Sequence, residues 1–282
     1  MTPREPLWDH SRRSGEQPEP RGYIDIHAHL IPGIDDGPPD LEQALEMARV
    51  AVASGICTIA TTPHLRPDFP NVRLEEIAFR CETLREHLAR SDIPLQVFPA
   101  AEVSLAWAIS ASDKQLAQAS YAQLGTDILI EAPFTPVLGL DRLLSILQSK
   151  GYRVTLAHPE RSSQFQSGDR LLRELVDRGV LLQVNAGSLL GPNRDRGRKR
   201  LARTLLEEGL AHALASDGHR GSHWRPVSVL ADAVAAAGEF VGAERARWLA
   251  TSAPMAIVNG DELPAAPPVK KAVSRRRLFR LR

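Results

Sequence analysis

From residue 23 to about residue 217, short apolar runs alternate with longer amphipathic segments. YIDIHAH (23–29), ICTIATT (56–62), LQVFPAAEV (95–103), DILIEA (127–132), RVTLAHP (153–159), VLLQVNA (180–186) and AHALASD (211–217) have strand length and strand character. Between them, DLEQALEMARVAVASG, LEEIAFRCETLREHLAR, GLDRLLSILQSKG, DRLLRELVDRG and RGRKRLARTLLEEG space their apolar residues as helices do. The first opens on Asp40, a residue type that caps helix N-termini, and closes on Gly55, placed as a glycine just past a helix C-terminus should be. Three of the others also end in glycine. Strict alternation of strand and helix predicts a parallel sheet, and seven such short strands predict an α/β fold of the TIM-like barrel kind. No internal repeat is visible.

The polar residues gather at one end of these strands. The first strand ends in His27 and His29, whose i, i+2 spacing sends both side chains from one face of an extended chain. A loop with Asp35 and Asp36 follows. The second strand runs into Thr62-Pro63-His64, the third ends at Glu102, and the fourth at Glu131. The fifth delivers His158, then Glu160 and Arg161; the sixth Asn185; the seventh Asp217 and His219. In a β/α barrel the C-terminal ends of the strands form the active-site face. A lone histidine or aspartate at such a place has a structural explanation as a surface residue or cap. So many ionisable groups gathered together, if buried, need compensation, and divalent cations supply it. Five histidines (His27, His29, His64, His158, His219) and four carboxylates (Asp36, Glu102, Glu131, Asp217) suffice for two or three ions. With no cysteine in the set, nitrogen and oxygen donors favour manganese, iron or zinc over a thiolate site.

Composition narrows the setting. Of 282 residues, 43% are hydrophobic and 24% charged, the balance of a soluble chain with a core. No apolar run reaches the ~18 residues of a membrane span, and residues 1–20 have no apolar segment of a secretory signal. Two cysteines, Cys57 and Cys81, are too few for a disulfide framework, so a cytoplasmic location is expected. The net charge of +1 hides an asymmetry: seven of the 35 bases follow Glu262, leaving 28 against 34 acids in the rest, about −6. An acidic body of this kind does not predict nucleic-acid binding. The expected organisation is a flexible leader (1–22), a barrel (23–260), and a proline-containing linker with a basic tail (261–282). The tail reads as a solvated end or as an anchor to anionic lipid or an acidic partner.

DIHAHLIPGIDDGP, TTPH, AAE, IEAP, AHPER, VNA and ASDGH, in that order over residues 23 to 260, resemble the motif series of the PHP (polymerase and histidinol phosphatase) superfamily. Within it they most resemble the bacterial manganese-dependent protein-tyrosine phosphatases of the CpsB/YwqE type. The resemblance implies a distorted TIM-like (β/α)7 barrel with three divalent ions, manganese first and iron or zinc as alternatives. His27, His29, Glu102 and Asp217 would hold one ion. Glu131 and His158 would hold the second, with Glu102 bridging, and Asp36, His64 and His219 the third. The choice of Asp36 over Asp35 rests on the resemblance alone. Arg161 and Arg225 would grip phosphate as catalytic groups, with Asp217 counted among them. The implied activity is hydrolysis of phosphotyrosine, on the tail of a bacterial tyrosine kinase controlling capsule or exopolysaccharide synthesis. A PHP phosphoesterase for a small molecule such as histidinol phosphate is the alternative, followed by a non-catalytic metal-bound regulator, against which the full ligand set argues.

Three ions carry six positive charges and the four carboxylates remove four, leaving about +2 for a phosphomonoester dianion. A water on such ions ionises far below its bulk pKa of ~15.7, so hydroxide is available near neutral pH for direct in-line attack. Tyrosine phosphatases that use cysteine need an arginine at the sixth place after it. Pro63 stands there after Cys57 and His87 after Cys81, so neither cysteine is a nucleophile. No G-x-S-x-G elbow occurs either.

Overall fold

The computed structural model describes residues 22–191 and 195–270. The leader, apart from its last residue, and the tail from 271 onward lie outside the described residues. The strands are β1 (Tyr23–Ala28), β2 (Ile56–Thr61), β3 (His64–Leu65), β4 (Gln96–Pro99), β5 (Glu102–Val103), β6 (Asp127–Glu131), β7 (Arg153–Ala157), β8 (Leu181–Asn185) and β9 (Ala213–Ala215). They form two sheets, β1-β2-β4 and β3-β5-β6-β7-β8-β9, paired in parallel throughout.

These are the seven predicted strand positions with two of them broken. Pro63 has no N–H to give a ladder, so the second position splits into β2 and β3 around it. The third splits into β4 and β5 at Ala100–Ala101. Backbone bonds carry the wall across both breaks, from Thr62 N to Ala28 O, Ala100 N to Thr61 O and Glu102 N to Pro63 O, at 2.9–3.1 Å. The far edges meet where Asp217 N donates to His27 O and His29 N to Gly218 O, both at 2.8 Å. Lower down, β1 and β9 instead bond to Ala250 O and Leu249 O, so the barrel is distorted there.

Inside, Ile24, Ile26, Leu129, Leu181, Ala213 and Ala215 pack with Tyr121 and with Ile257 and Val258 of the helix Ser252–Asn259. The period-2 alternation of strands then decides where polarity appears. The inward parity runs Leu129–Glu131 on β6, Leu181–Gln183–Asn185 on β8, and Ala213–Ala215–Asp217 through β9. It is apolar low in the barrel and polar at the C-terminal end.

The helices Leu41–Ala53, Leu74–Arg90, Leu140–Ser149, Arg170–Asp177 and Arg196–Glu207 stand where the periodicity places them. The Asp40 carboxylate accepts from Gln43 N at 2.9 Å, and Gly55 takes φ +84° after the first helix. Among the described residues, no helix is long and apolar enough to cross a membrane. The proline-rich stretch 261–270 lies along the body: Pro267 O accepts from Arg245 Nη1, Lys270 N donates to Val241 O, and Leu263 and Val269 pack on the core.

Candidate metal centre

His27, His29, His64, Glu102, Glu131, His158, Asp217 and His219 are all buried, and Asp36 is half-buried. His27 Nε2 lies 3.4 Å from Glu102 Oε2 and 3.5 Å from Asp217 Oδ1, and His29 Nε2 lies 3.6 Å from each. Two donors about 2.1 Å from one tetrahedral ion stand about 3.4 Å apart, so this spacing suits a shared cation. None of these four atoms has a well-aligned hydrogen-bond partner among the described residues.

Three further groups share members with this one: His29, Asp36, His64 and His219; His27, Glu102 and His158; His64, Glu102 and Glu131. Asp36 Oδ1 is 3.1 Å from His219 Nε2 and 3.5 Å from His64 Nε2. His158 Nε2 is 2.8 Å from Glu102 Oε1, and His64 Nδ1 2.7 Å from Glu102 Oε2. Glu102 sits at the junction, since β3 pairs with β5 in the register His64 to Glu102. The donor chemistry, the spacing and the orphaned atoms fit divalent cations. One pairing implied by the resemblance is looser: Glu131 groups with His64 and Glu102 rather than with His158, and Arg66 Nη1 holds both its oxygens at 2.7 and 3.0 Å.

The two aspartates of the first loop have different places. Asp35 Oδ2 meets His29 Nδ1 at 2.7 Å, and Asp35 also accepts from the backbone N–H of Gly37 and His64. Asp36 faces the cluster. On the other histidine, His27 Nδ1 meets Gln183 Oε1 at 3.0 Å. With these acceptors on Nδ1–H, each ring once neutral presents its Nε2 lone pair to a cation. By sequence, Asp35 was only the alternative ligand to Asp36, and Gln183 and Arg66 were not singled out; a polar residue at an inward parity on β8 was the available signal for Gln183.

Asp217 Oδ2 accepts from Arg161 Nη1 at 2.6 Å, Asn185 Nδ2 at 2.7 Å, and Arg225 Nη2. Arg225 Nη1 also meets His219 Nε2 at 2.8 Å. Both predicted arginines are therefore at the cluster. His158, Asp217 and Arg225 hold left-handed φ of +35°, +51° and +49°, strain of the kind kept at functional sites.

Burial disfavours charge on every group, and the neighbours then decide the outcome. Imidazoles around Glu102 and Asp217 hold both carboxyls well below the ordinary range. Burial opposes ionisation of His29, but Asp35, Asp217 and Glu102 overcome it and push the ring up to about 10. Burial dominates at His158 and His219, bringing both down to about 4. Burial and the nearby Glu102 charge raise Glu131.

A parallel β/α barrel with histidines and carboxylates converging at its C-terminal mouth is the architecture of a metal-dependent hydrolase. Residues 23–259 match the family described as "Capsular polysaccharide synthesis, CpsB/CapC", and the chain belongs to that family. It is 36% identical to the tyrosine-protein phosphatase YwqE of Bacillus subtilis over 199 residues, covering 70% of this chain and 77% of the relative. The tyrosine-protein phosphatase CpsB of Streptococcus pneumoniae is 27% identical over 208 residues, covering 70% of this chain and 82% of the relative. A solved structure from work on YwqE and CpsB, described as metal-dependent tyrosine phosphatases, superposes with a TM-score of 0.74 at 31% identity. That match covers 89% of this chain and all of the other. A β-aspartyl dipeptidase from Fervidobacterium islandicum (TM-score 0.53, 14% identity, 84% of this chain and 75% of that one) shares the fold alone.

Proposed function

We infer that this chain is a metal-dependent protein-tyrosine phosphatase with three divalent ions, manganese the first choice. One observation carries the reading: His27 Nε2, His29 Nε2, Asp36 Oδ1, Glu102 Oε2 and Asp217 Oδ1 are buried within overlapping histidine–carboxylate groups and, among the described residues, have no well-aligned hydrogen-bond partner. Leaving such atoms unpaired is costly, and cations remove the cost. In the proposed assignment His27, His29, Glu102 and Asp217 hold one ion. Glu102, which groups with His158 on one side and with Glu131 on the other, would hold a second together with them, and Asp36, His64 and His219 would hold a third. When bound, the ions would supply Lewis-acidic charge and lower the pKa of water at the centre.

The chain's own residues would do the rest. Asp35 and Gln183 hold the rings of His29 and His27 in one tautomer and orientation. Arg161 and Arg225, their side chains 20% and 23% exposed, would turn from Asp217 Oδ2 to the phosphate oxygens and stabilise the charge that develops there. Asp217 would keep Oδ1 toward His27 and His29. A phenol of pKa about 10 leaves without a strong general acid, which suits phosphotyrosine better than an alkyl ester.

The relatives' names support a phosphotyrosine protein as substrate, and the family description supports a place in capsular polysaccharide synthesis, where the tail of a bacterial tyrosine kinase is the partner proposed. The free cysteines Cys57 and Cys81 support the cytoplasm as the compartment. The test strips the protein of metal, restores manganese, iron, zinc or magnesium singly, and assays phosphotyrosine, phosphoserine and histidinol phosphate. Turnover of phosphotyrosine above the other two, restored by manganese, is the expected outcome. A preference for histidinol phosphate would overturn the substrate assignment.

A further inference from the structure

Four histidines of the centre, His158, His27, His29 and His219, neighbour one another in turn, and the first and last each carry an exposed aromatic ring. His158 and His27 have centroids 5.5 Å apart, His27 and His29 5.5 Å, and His29 and His219 4.0 Å. Beyond His158 lies Phe134, nearly parallel to it at 6.2 Å and 9°. Beyond His219 lies Trp224, edge-on at 5.2 Å and 79°. Phe134 is 45% exposed and Trp224 52% exposed, so large apolar faces are kept in water beside a highly charged cluster. The two arginines are paired with the same two rings: Arg161 Cζ is 5.5 Å from the Phe134 centroid, and Arg225 Cζ 5.5 Å from that of Trp224. Both guanidinium groups converge on Asp217 Oδ2. Phe69 differs, since it stacks on His64 at 4.6 Å and is half-buried, a support rather than an open face.

We propose that Phe134 and Trp224 are the specificity-determining walls of the site, each offering an apolar face beside a phosphate-holding arginine to the phenyl ring of the phosphate ester. The proposal rests on the phosphatase reading and deepens it. A phosphate held by Arg161 and Arg225 is flanked by the ring that each arginine carries. An ester group leaving the centre therefore has an exposed apolar face beside each arginine. A phenyl ring fills that place through offset or edge contacts, which add to simple burial. A phosphoserine side chain has no ring to offer and leaves both walls wet. Wall contacts are the same in ground and transition states, so they lower KM for aryl esters without raising kcat.

The test compares phenylphosphonate with methylphosphonate as competitive ligands of the metal-loaded protein, in wild type, Phe134→Ala, Trp224→Ala and the double variant. Phe134→Tyr and Trp224→Phe serve as conservative controls. Each alanine should lower the preference for phenylphosphonate roughly 3- to 10-fold, with KM for a phosphotyrosine peptide rising in parallel and kcat near wild type. The conservative variants should retain most of the preference. Equal weakening of both phosphonates would make the rings mere supports for Arg161 and Arg225, and would overturn the proposal. So would an unchanged preference, even in a protein that hydrolyses phosphotyrosine well. A wild-type protein that binds neither phosphonate and hydrolyses no phosphomonoester overturns the phosphatase reading itself, and this proposal with it.

Discussion

The two oxygens of Asp217 have different neighbours. Oδ1 faces His27 and His29 at 3.5 and 3.6 Å, while Oδ2 accepts from Asn185 and both arginines. Arg161 is thus parked on a carboxylate and close to solvent, a geometry that suits an incoming dianion better than permanent structure. Arg161→Ala should lower kcat/KM roughly 10²–10³ while metal content stays at the wild-type level. Arg161→Lys should recover only part, because a point charge cannot replace a planar fork. Near-normal kinetics in Arg161→Ala with metals intact would remove the residue from the site. The cysteines give a contrasting case. Burial pushes the Cys81 thiol up to about 12, and Cys57 Sγ rests on Tyr23 O at 3.4 Å. A Cys57→Ser/Cys81→Ala protein should therefore keep its turnover, and a folded but inactive variant would revive a thiol mechanism. At this scale, the residues legible in the sequence are those at strand ends, such as His27 and Asp217. Those that act on them were not, because Gln183 meets His27 across 156 positions and Arg66 meets Glu131 across 65. No local pattern encodes such pairs.

Secondary structure carries its own punctuation. Gly55 ends the helix Leu41–Ala53 at φ +84°, and a Cβ added there would meet only Tyr23 ring carbons at an ordinary 3.7 Å. The cost of Gly55→Ala is then backbone strain alone, about 1–2 kcal/mol. Thermal or denaturant unfolding should show that loss with kcat/KM unchanged, since the glycine lies at the N-terminal end of β2, away from the centre. No measurable loss would mean the backbone adapts there. The strand positions were legible from apolar runs and the five longer helices from their spacing. The two breaks were not: the second run stops at Thr62 with no sign of β3 beyond Pro63, and the third reads as one continuous run through Ala100–Ala101. The break matters to the site: it sets His64 opposite Glu102 in register. The helix Val229–Val241 was also missed, since alanines in VLADAVAAAGEFV blur the contrast between its faces. The short helix Asp113–Ala119 depends on a Ser112–Gln115 capping box rather than on a long apolar stripe.

Across the whole molecule, metal, proton and stability are linked through the strands that the centre ties together. Its donors come from β1, β3, β5, β6 and the segments after β7 and β9, so cations should brace the barrel mouth and their removal should lower Tm. The sign with pH follows from His29. Its ordinary value is 6.5 and Asp35, with Asp217 and Glu102, pushes it up to about 10 against the opposing effect of burial. A raised value means that the metal-free fold binds this proton more tightly than the unfolded chain does. The resulting stability is fully present below about 6.5 and is lost as pH rises through about 10. A cation bound to His29 must displace the same proton, so its apparent affinity rises with pH over that window. Both effects act in one direction: the Tm gap between metal-loaded and metal-free protein should widen from about pH 7 to about pH 9.5. Calorimetric titration with manganese at pH 7.5, in buffers of different ionisation enthalpy, should show proton release. In Asp35→Asn the ring loses the carboxylate that holds it charged, so the widening and the proton release should both shrink. A wild-type gap that stays constant with pH, with no protons released on binding, would show that His29 is neutral before any metal arrives.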